Sequence, residues 1–335
     1  MRTEIATIGK TALLDTLFEN TEYHNTPVLQ LSEKGESCSA HRILTEGIDF
    51  DLVYTPLKHL GYKAVLYVVG EIYAAFHNPC ALSVQLGISS KFCVEDIREL
   101  FDGILAASRE HHITQLSLDM NPSLNGLCIS LAAIGLQKKG VRAQRAPYKN
   151  MDLICLSGRL GAAYMGLHVL EREKVAFNKD GRQPDLSKYS KILASYLSPE
   201  INPETVSRFL ADEIYPSGGY FVTHGLADAV LQLTRDSGFG AKIYLEKIPM
   251  SHQTNEAAEE FGIDPVTAAM NGGDDFQFIF TVPIGKNDII RRNFQDYDVI
   301  GHLARPEVGA VLVTPEGAEI QLRSQAYESA EESEQ

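Results

Sequence analysis

A polar, basic stretch in the middle of the chain, KKGVRAQRAPYKN (138–150), splits it into two halves that need separate cores. It contains a glycine, a proline and no acid, so it reads as neither helix nor strand. GLCISLAAIGL (126–136) ends just before it as a strand-like run, and DLICLSG (152–158) opens a new strand just after. A boundary here gives an N-terminal domain of residues 1–137, a bridge of 138–150, a C-terminal domain of 151–323 and an acidic tail of 324–335. A length of 335 residues agrees, because single cores stop growing at roughly 250–300 residues.

Periodicity fills in the halves. Residues 3–19 space their apolar positions as a helix, and 24–40 read as a loop around one short strand. YKAVLYVVGEIYAAF (62–76) starts with strand-type residues and continues as a helix, and ALSVQLGI (81–88) alternates as a strand. VEDIRELFDGILAASREHHI (94–113) is an amphipathic helix. Beyond the bridge, helices at 162–173, 187–196, 204–211, 226–236 and 255–262 alternate with strands at 242–245, 276–282 and 310–313. The first half is therefore α+β and the second resembles α/β. The end of the tail has the polar, acidic composition of disordered chain.

Charge narrows the function. A net charge of −14 argues against nucleic acid, which is met by a basic stripe. No apolar run approaches the ~18 residues of a membrane span. The start, MRTEIATIGKTALLDTLFEN, lacks the apolar core of a signal peptide. Cys38, Cys80, Cys93, Cys128 and Cys155 are scattered, never in C-x-x-C spacing, and mostly in apolar strings. They read as reduced, buried thiols and hence as a cytoplasmic protein. Phosphate-binding and hydrolase signatures such as G-x-x-x-x-G-K-[ST], G-x-G-x-x-G, H-E-x-x-H and G-x-S-x-G are missing. His111-His112 reads as a polar helix end, since adjacent helical residues diverge.

Six strings taken together are similar to one family: EGIDFDL (46–52), LKHLGYKA (57–64), GEIYAAFHNP (70–79), SGRLGAAYMGL (157–167), GLADAVLQL (225–233) and NGGDDFQFIFT (271–281). In order and spacing they resemble thiamine-monophosphate kinase, of the PurM-like (aminoimidazole ribonucleotide synthetase-like) superfamily. The resemblance implies an α+β, two-domain PurM-like fold, with an N-terminal dimerisation and ATP domain and a C-terminal α/β domain. It also implies a homodimer, ATP in the inter-domain cleft, and Mg²⁺ held by aspartates. The reaction would be transfer of the γ-phosphoryl group of ATP to thiamine phosphate. Phosphoryl transfer asks mainly for positioning and charge neutralisation, and Mg²⁺ wants converging oxygen ligands.

Carried over by position, the family pattern is only partly kept. SEKGESCSA (32–40) stands where the family has Gly-Asp-Asp, and His41-Arg42 stand where it has Thr-Asp. Asp49 replaces a substrate-contacting histidine, and Gly70-Glu71 replace Ser-Asp at an expected helix start. Asp119 keeps the aspartate of Gly-Gly-Asp-Thr, while Thr223-His224-Gly225 replace Ser-Asp-Gly. The resemblance thus implies nucleotide contacts from Asp119, Arg145 and Thr223, metal contacts from Asp119 and Glu71, and substrate contacts from Asp49, Asp274 and Tyr327. It assigns no secure catalytic residue. Each has a plainer reading too: Asp119 opening a turn before Asn121-Pro122, Glu71 beside a helix dipole, Arg145 as a solvated charge. NGGDDFQFIF reads first as a turn into a strand, with a substrate-side role second. Arg42 cannot ligate a cation, so a non-catalytic paralogue is the alternative. A reduced cage of Asp49, Glu71, Asp119 and Asp228 would keep one Mg²⁺. Other superfamily reactions use a terminal cysteine or an N-terminal cysteine or selenocysteine. This sequence ends ESAEESEQ and has its first cysteine at Cys38, which places them lower.

Overall fold

The alternation along Leu127–Lys138 dictates the first half: every second residue is buried, so one face of this strand meets a core. The computed structural model describes residues 13–14, 16–23, 35–181 and 183–324, and Tyr327 with the rest of the tail lies outside them. Its chain divides into two units, Met1–Lys139 with Glu200–Val206, and Gly140–Pro199 with Ser207–Gln335.

In the first unit, strands β1 (Gly35–Thr45), β2 (Asn78–Ile88), β3 (Gln115–Pro122) and β4 (Leu127–Lys138) form one sheet in the order β1-β4-β2-β3. β4 is antiparallel to β1 and β2, and β3 runs parallel to β2. That parallel pair needs a crossover, which helix Val94–Glu110 supplies. Helix Leu57–Ala74 is apolar on nearly all sides and is packed by β1, β4 and helix Val94–Glu110. The two helices touch backbone to backbone: a Cβ on Gly61 would overlap the Leu100 carbonyl, and one on Gly103 the Lys58 carbonyl.

Four expectations are corrected here. Residues 35–40 belong to β1 and are not loop, because their partners on β4 complete the ladder. The strand-type start at Tyr62 is helical, since β-branched residues are accepted where a helix is buried all round. Glu71 consequently sits in the last turn of that helix rather than at its start. His111 is no polar helix end. It is fully buried, its Nδ1 lies 3.1 Å from the Tyr73 hydroxyl, and burial lowers its pKa to about 4.

The second unit holds seven strands in the order β11-β10-β7-β9-β5-β8-β6. They are β5 (Leu153–Ser157), β6 (Gly218–Val222), β7 (Gly240–Tyr244), β8 (Gln277–Val282), β9 (Tyr297–Ala304), β10 (Ala310–Val313) and β11 (Glu319–Gln321). Among these described strands, β10 and β7 alone pair in parallel. Helices Ala162–Asp180, Leu226–Ser237, His252–Phe261 and Pro265–Asn271 accompany this sheet, with Ile154, Leu156, Val222, Val230, Ile243 and Ile279 in the core. A second cluster packs Phe209, Phe280, Phe294 and Tyr297 in tilted and edge-on contacts. The bridge residues Arg142–Gln144 form a short 3₁₀ turn. Of the thiols, Cys93 and Cys155 are buried, whereas Cys38, Cys80 and Cys128 are half-buried; all five are unbridged. No described helix is long and apolar enough to cross a membrane.

Candidate functional site

Three loops of the second unit are tied together where two helices begin. Ser157–Gly161 leads from β5 into helix Ala162–Asp180, Thr223–Gly225 leads from β6 into helix Leu226–Ser237, and Asn271–Phe276 leads from helix Pro265–Asn271 into β8. The Asp274 N–H donates to the Thr223 carbonyl at 2.9 Å, and the Phe276 N–H to the Val222 carbonyl at 3.1 Å. The Gly161 N–H donates to Asp275 Oδ1 at 2.9 Å. Gln277 accepts from Ser157 Oγ at 2.8 Å and donates to the Asp275 carbonyl at 3.1 Å.

This knot demands an unusual backbone. Gly273, Asp274 and Phe276 have φ of 80°, 56° and 53°. For Phe276, a buried aromatic, the left-handed region is strained and survives only because its surroundings fix it. Gly225, with φ 91°, has no room for a Cβ, which would overlap the Met270 carbonyl. NGGDDF is thus a turn into a strand, as its glycines predict, and also a strained joint between three loops.

Asp275 is the residue that sequence reasoning missed. Its carboxyl is buried, with Oδ1 on the Gly161 N–H at the start of a 19-residue helix. Oδ2 has no hydrogen-bond partner. Burial, against the pull of the Gly161 N–H and with a push from the Asp274 charge, raises its pKa to about 8. The only sequence signal was an acid followed at once by a run of core-type aromatics.

The expected site residues are divided between the two units. Thr223 and Asp274 are brought together by the backbone bond above, and Thr223 Oγ1 lies 3.3 Å from His224 Nδ1. Arg145 is half-buried and caps the Arg142–Gln144 turn. In the first unit Asp119 is an exposed residue inside β3, opposite Gln85, and does not open a turn. Glu71 is exposed on its helix. Asp49 Oδ2 accepts from the Thr45 N–H at 2.7 Å, and Oδ1 faces Arg42 Nη2 at 3.9 Å. The Arg42 guanidinium sits 4.8 Å from the centre of the Tyr67 ring. By register, Arg42 shares a sheet face with Leu131, Val84 and Leu118, whereas Asp119 shares the other with Gln85, Ser130 and Ile43.

These side chains do not fit a magnesium cage. Asp49 is committed to Thr45 and Arg42. Asp228 is buried, with its oxygens accepting from Ser324 Oγ at 3.2 Å and Gln232 Nε2 at 2.7 Å. Among the described residues no three His, Cys, Asp or Glu side chains come together as a metal site, so within the first unit Asp49, Glu71 and Asp119 do not converge.

The mixed four-stranded unit and the seven-stranded unit make a two-domain PurM-like fold. Solved structures share that fold. AaThiL complexed with AMPPCP and TMP matches with a TM-score of 0.73 at 22% identity over 96% of both chains. HypE of Escherichia coli matches with a TM-score of 0.70 at 15% identity over 96% of this chain and 97% of that one. No protein-family model matches. In sequence, the chain is 24% identical to the thiamine-monophosphate kinase of Aquifex aeolicus over 253 residues, covering 74% of this chain and 78% of that enzyme. It is 25% identical to a hydrogenase expression/formation protein of Methanocaldococcus jannaschii over 281 residues, 80% of this chain and 77% of that one. In sequence the chain is thus similar, at 24–25% identity, both to thiamine-monophosphate kinases and to a hydrogenase expression/formation protein.

Proposed function

We propose that this protein binds ATP and thiamine phosphate as those kinases do but has given up metal-dependent transfer between them. One observation carries the second half: Arg42, seated between Tyr67 and Asp49, stands where the kinase pattern has an aspartate. A guanidinium cannot ligate Mg²⁺, and at ~4 Å a like charge costs roughly 4 kcal/mol at an effective dielectric of about 20. The first half draws support from structural neighbours solved with AMPPCP and TMP or with ATP. In this reading Asp119, Arg145 and Thr223 contact nucleotide, and Asp49, Asp274 and Tyr327 face the substrate. Glu71 and Asp119 no longer suffice for metal.

A homodimer and a cytoplasmic setting belong to the same reading. The sheet face carrying Ile43, Ser130, Ala132 and Ile134 turns away from the helices, and Ile43 is 61% exposed. Such a face is suited to a second copy. Five unbridged thiols suit a reducing compartment. The deciding assay offers purified protein ATP, Mg²⁺ and thiamine phosphate. Binding of both ligands by calorimetry without formation of thiamine diphosphate is expected; steady production of the diphosphate would refute the proposal.

A further inference from the structure

We infer that Arg42 anchors a polyphosphate directly, so that this chain holds the phosphates of a nucleotide without a divalent cation. The inference rests on the nucleotide-binding reading above and adds the chemistry by which the phosphates are held.

Arg42 is out of place by the pattern of its own strand. Ala40 and Leu44, its neighbours on the same face of β1, are buried, and the row across the sheet is Leu131, Val84 and Leu118. A leucine would fill such a position without any loss of hydration, whereas a guanidinium gives up water. A charge kept in a core row is the informative kind of exception.

The charge is also held in a fixed pose. Its guanidinium carbon lies 4.8 Å from the centre of the Tyr67 ring, which is itself buried. Its Nη2 lies 3.9 Å from Asp49 Oδ1, beyond hydrogen-bond length, and Asp49 itself is set by the Thr45 N–H. Yet 28% of the side chain stays exposed, so a ligand can reach it. A rigid, planar fork of donors matches phosphate oxygens, and fixing it beforehand removes the ordering cost of binding. Asp49 works against an anion at the same spot, which gives the inference a two-sided signature. Removing the cation must weaken polyphosphate binding, and neutralising Asp49 must not.

The test is calorimetry on the full chain with ATP and, separately, inorganic tripolyphosphate, each in EDTA and in Mg²⁺. Wild type, Arg42→Ala, Arg42→Lys and Asp49→Asn are compared, with thermal unfolding to confirm that each is folded. Both ligands should bind in EDTA about as tightly as in Mg²⁺. Arg42→Ala should lose about tenfold or more of that affinity, as expected for losing charge-assisted hydrogen bonds, and lysine should restore part of it. Asp49→Asn should bind equally or more tightly. Wild-type binding that vanishes in EDTA, or a folded Arg42→Ala with unchanged affinity, overturns the inference and leaves the nucleotide reading standing. Tripolyphosphate binding without ATP binding overturns the nucleotide reading and, with it, the claim that the phosphates held by Arg42 are a nucleotide's. No binding of either ligand overturns both.

Discussion

Replacing Asp275 by asparagine should change how stability depends on pH more than it changes stability itself. Below about pH 4 the carboxyl is protonated in both the folded and unfolded chain. Above that the unfolded chain releases the proton, while the folded chain keeps it until about pH 8. The folded pKa is raised, so the group favours folding at acid pH and its contribution is lost as pH rises. Each pH unit in that window costs about 1.36 kcal/mol, hence on the order of 4 kcal/mol between pH 5 and 8. Asparagine keeps an acceptor for the Gly161 N–H, now at 2.9 Å from Oδ1. Its amide puts two N–H donors where the protonated acid already carries one unpartnered O–H, so at pH 5 the extra cost is that of a single further donor, about 1 kcal/mol or more. Asp275→Asn should therefore be less stable than wild type at pH 5 and equal or better at pH 8. Urea unfolding at pH 5, 6, 7 and 8 measures this, read by far-UV circular dichroism because the chain lacks tryptophan. Parallel curves for the two proteins would refute the argument.

Three further outcomes follow from the same geometry. His111 has a lowered folded pKa, so its contribution is present above pH ~6.5 and lost as pH falls towards 4; His111→Gln should flatten the acid limb of the unfolding curve. Gly225→Ala forces a side chain onto φ 91° and into the Met270 carbonyl, and should cost about 1–3 kcal/mol or more in urea unfolding. Ile43→Lys places a charge on the outward sheet face; if that face pairs two copies as proposed, sedimentation should show the variant as monomer beside a dimeric wild type, with secondary structure unchanged.

The elements with strong signals were legible: the amphipathic helix at Val94–Glu110, the strand at Asn78–Ile88 where 81–88 alternates, and Gln277–Val282 where an apolar run follows two glycines. Leu57–Ala74 misled at its start because a helix buried on every side has no stripe to read. β6 and β9 carry glycines, Gly218, Gly219 and Gly301, which weaken a strand signal that long-range pairing then overrides. The site was legible as a set of positions but not as a geometry. Arg42 stood out by its charge, yet its seat on Tyr67 and Asp49 depends on residues 25 and 7 positions away. Asp275 was invisible because nothing local distinguishes it from Asp274. Only the fold puts one at the start of a helix and leaves the other half-exposed.

That contrast between neighbours makes Asp274 a test of whether the loop's strain serves a ligand. At φ 56° a glycine is at ease, and an aspartate pays part of the left-handed penalty. Its carboxylate also raises the pKa of Asp275. Asp274→Gly relieves strain and removes that repulsion, set against the extra freedom glycine gives the unfolded chain. The balance should be a gain of a few tenths to ~1 kcal/mol, larger at pH 8 than at pH 5 because the repulsion acts on the ionised Asp275. If Asp274 faces thiamine phosphate, the same variant should bind that ligand more weakly while resisting urea better. Residues kept at a cost to the fold behave this way where they meet a ligand. A variant that is less stable at both pH values would show that the loop is not strained at this residue. One that is more stable but binds thiamine phosphate as wild type does would move the substrate contact elsewhere in the knot.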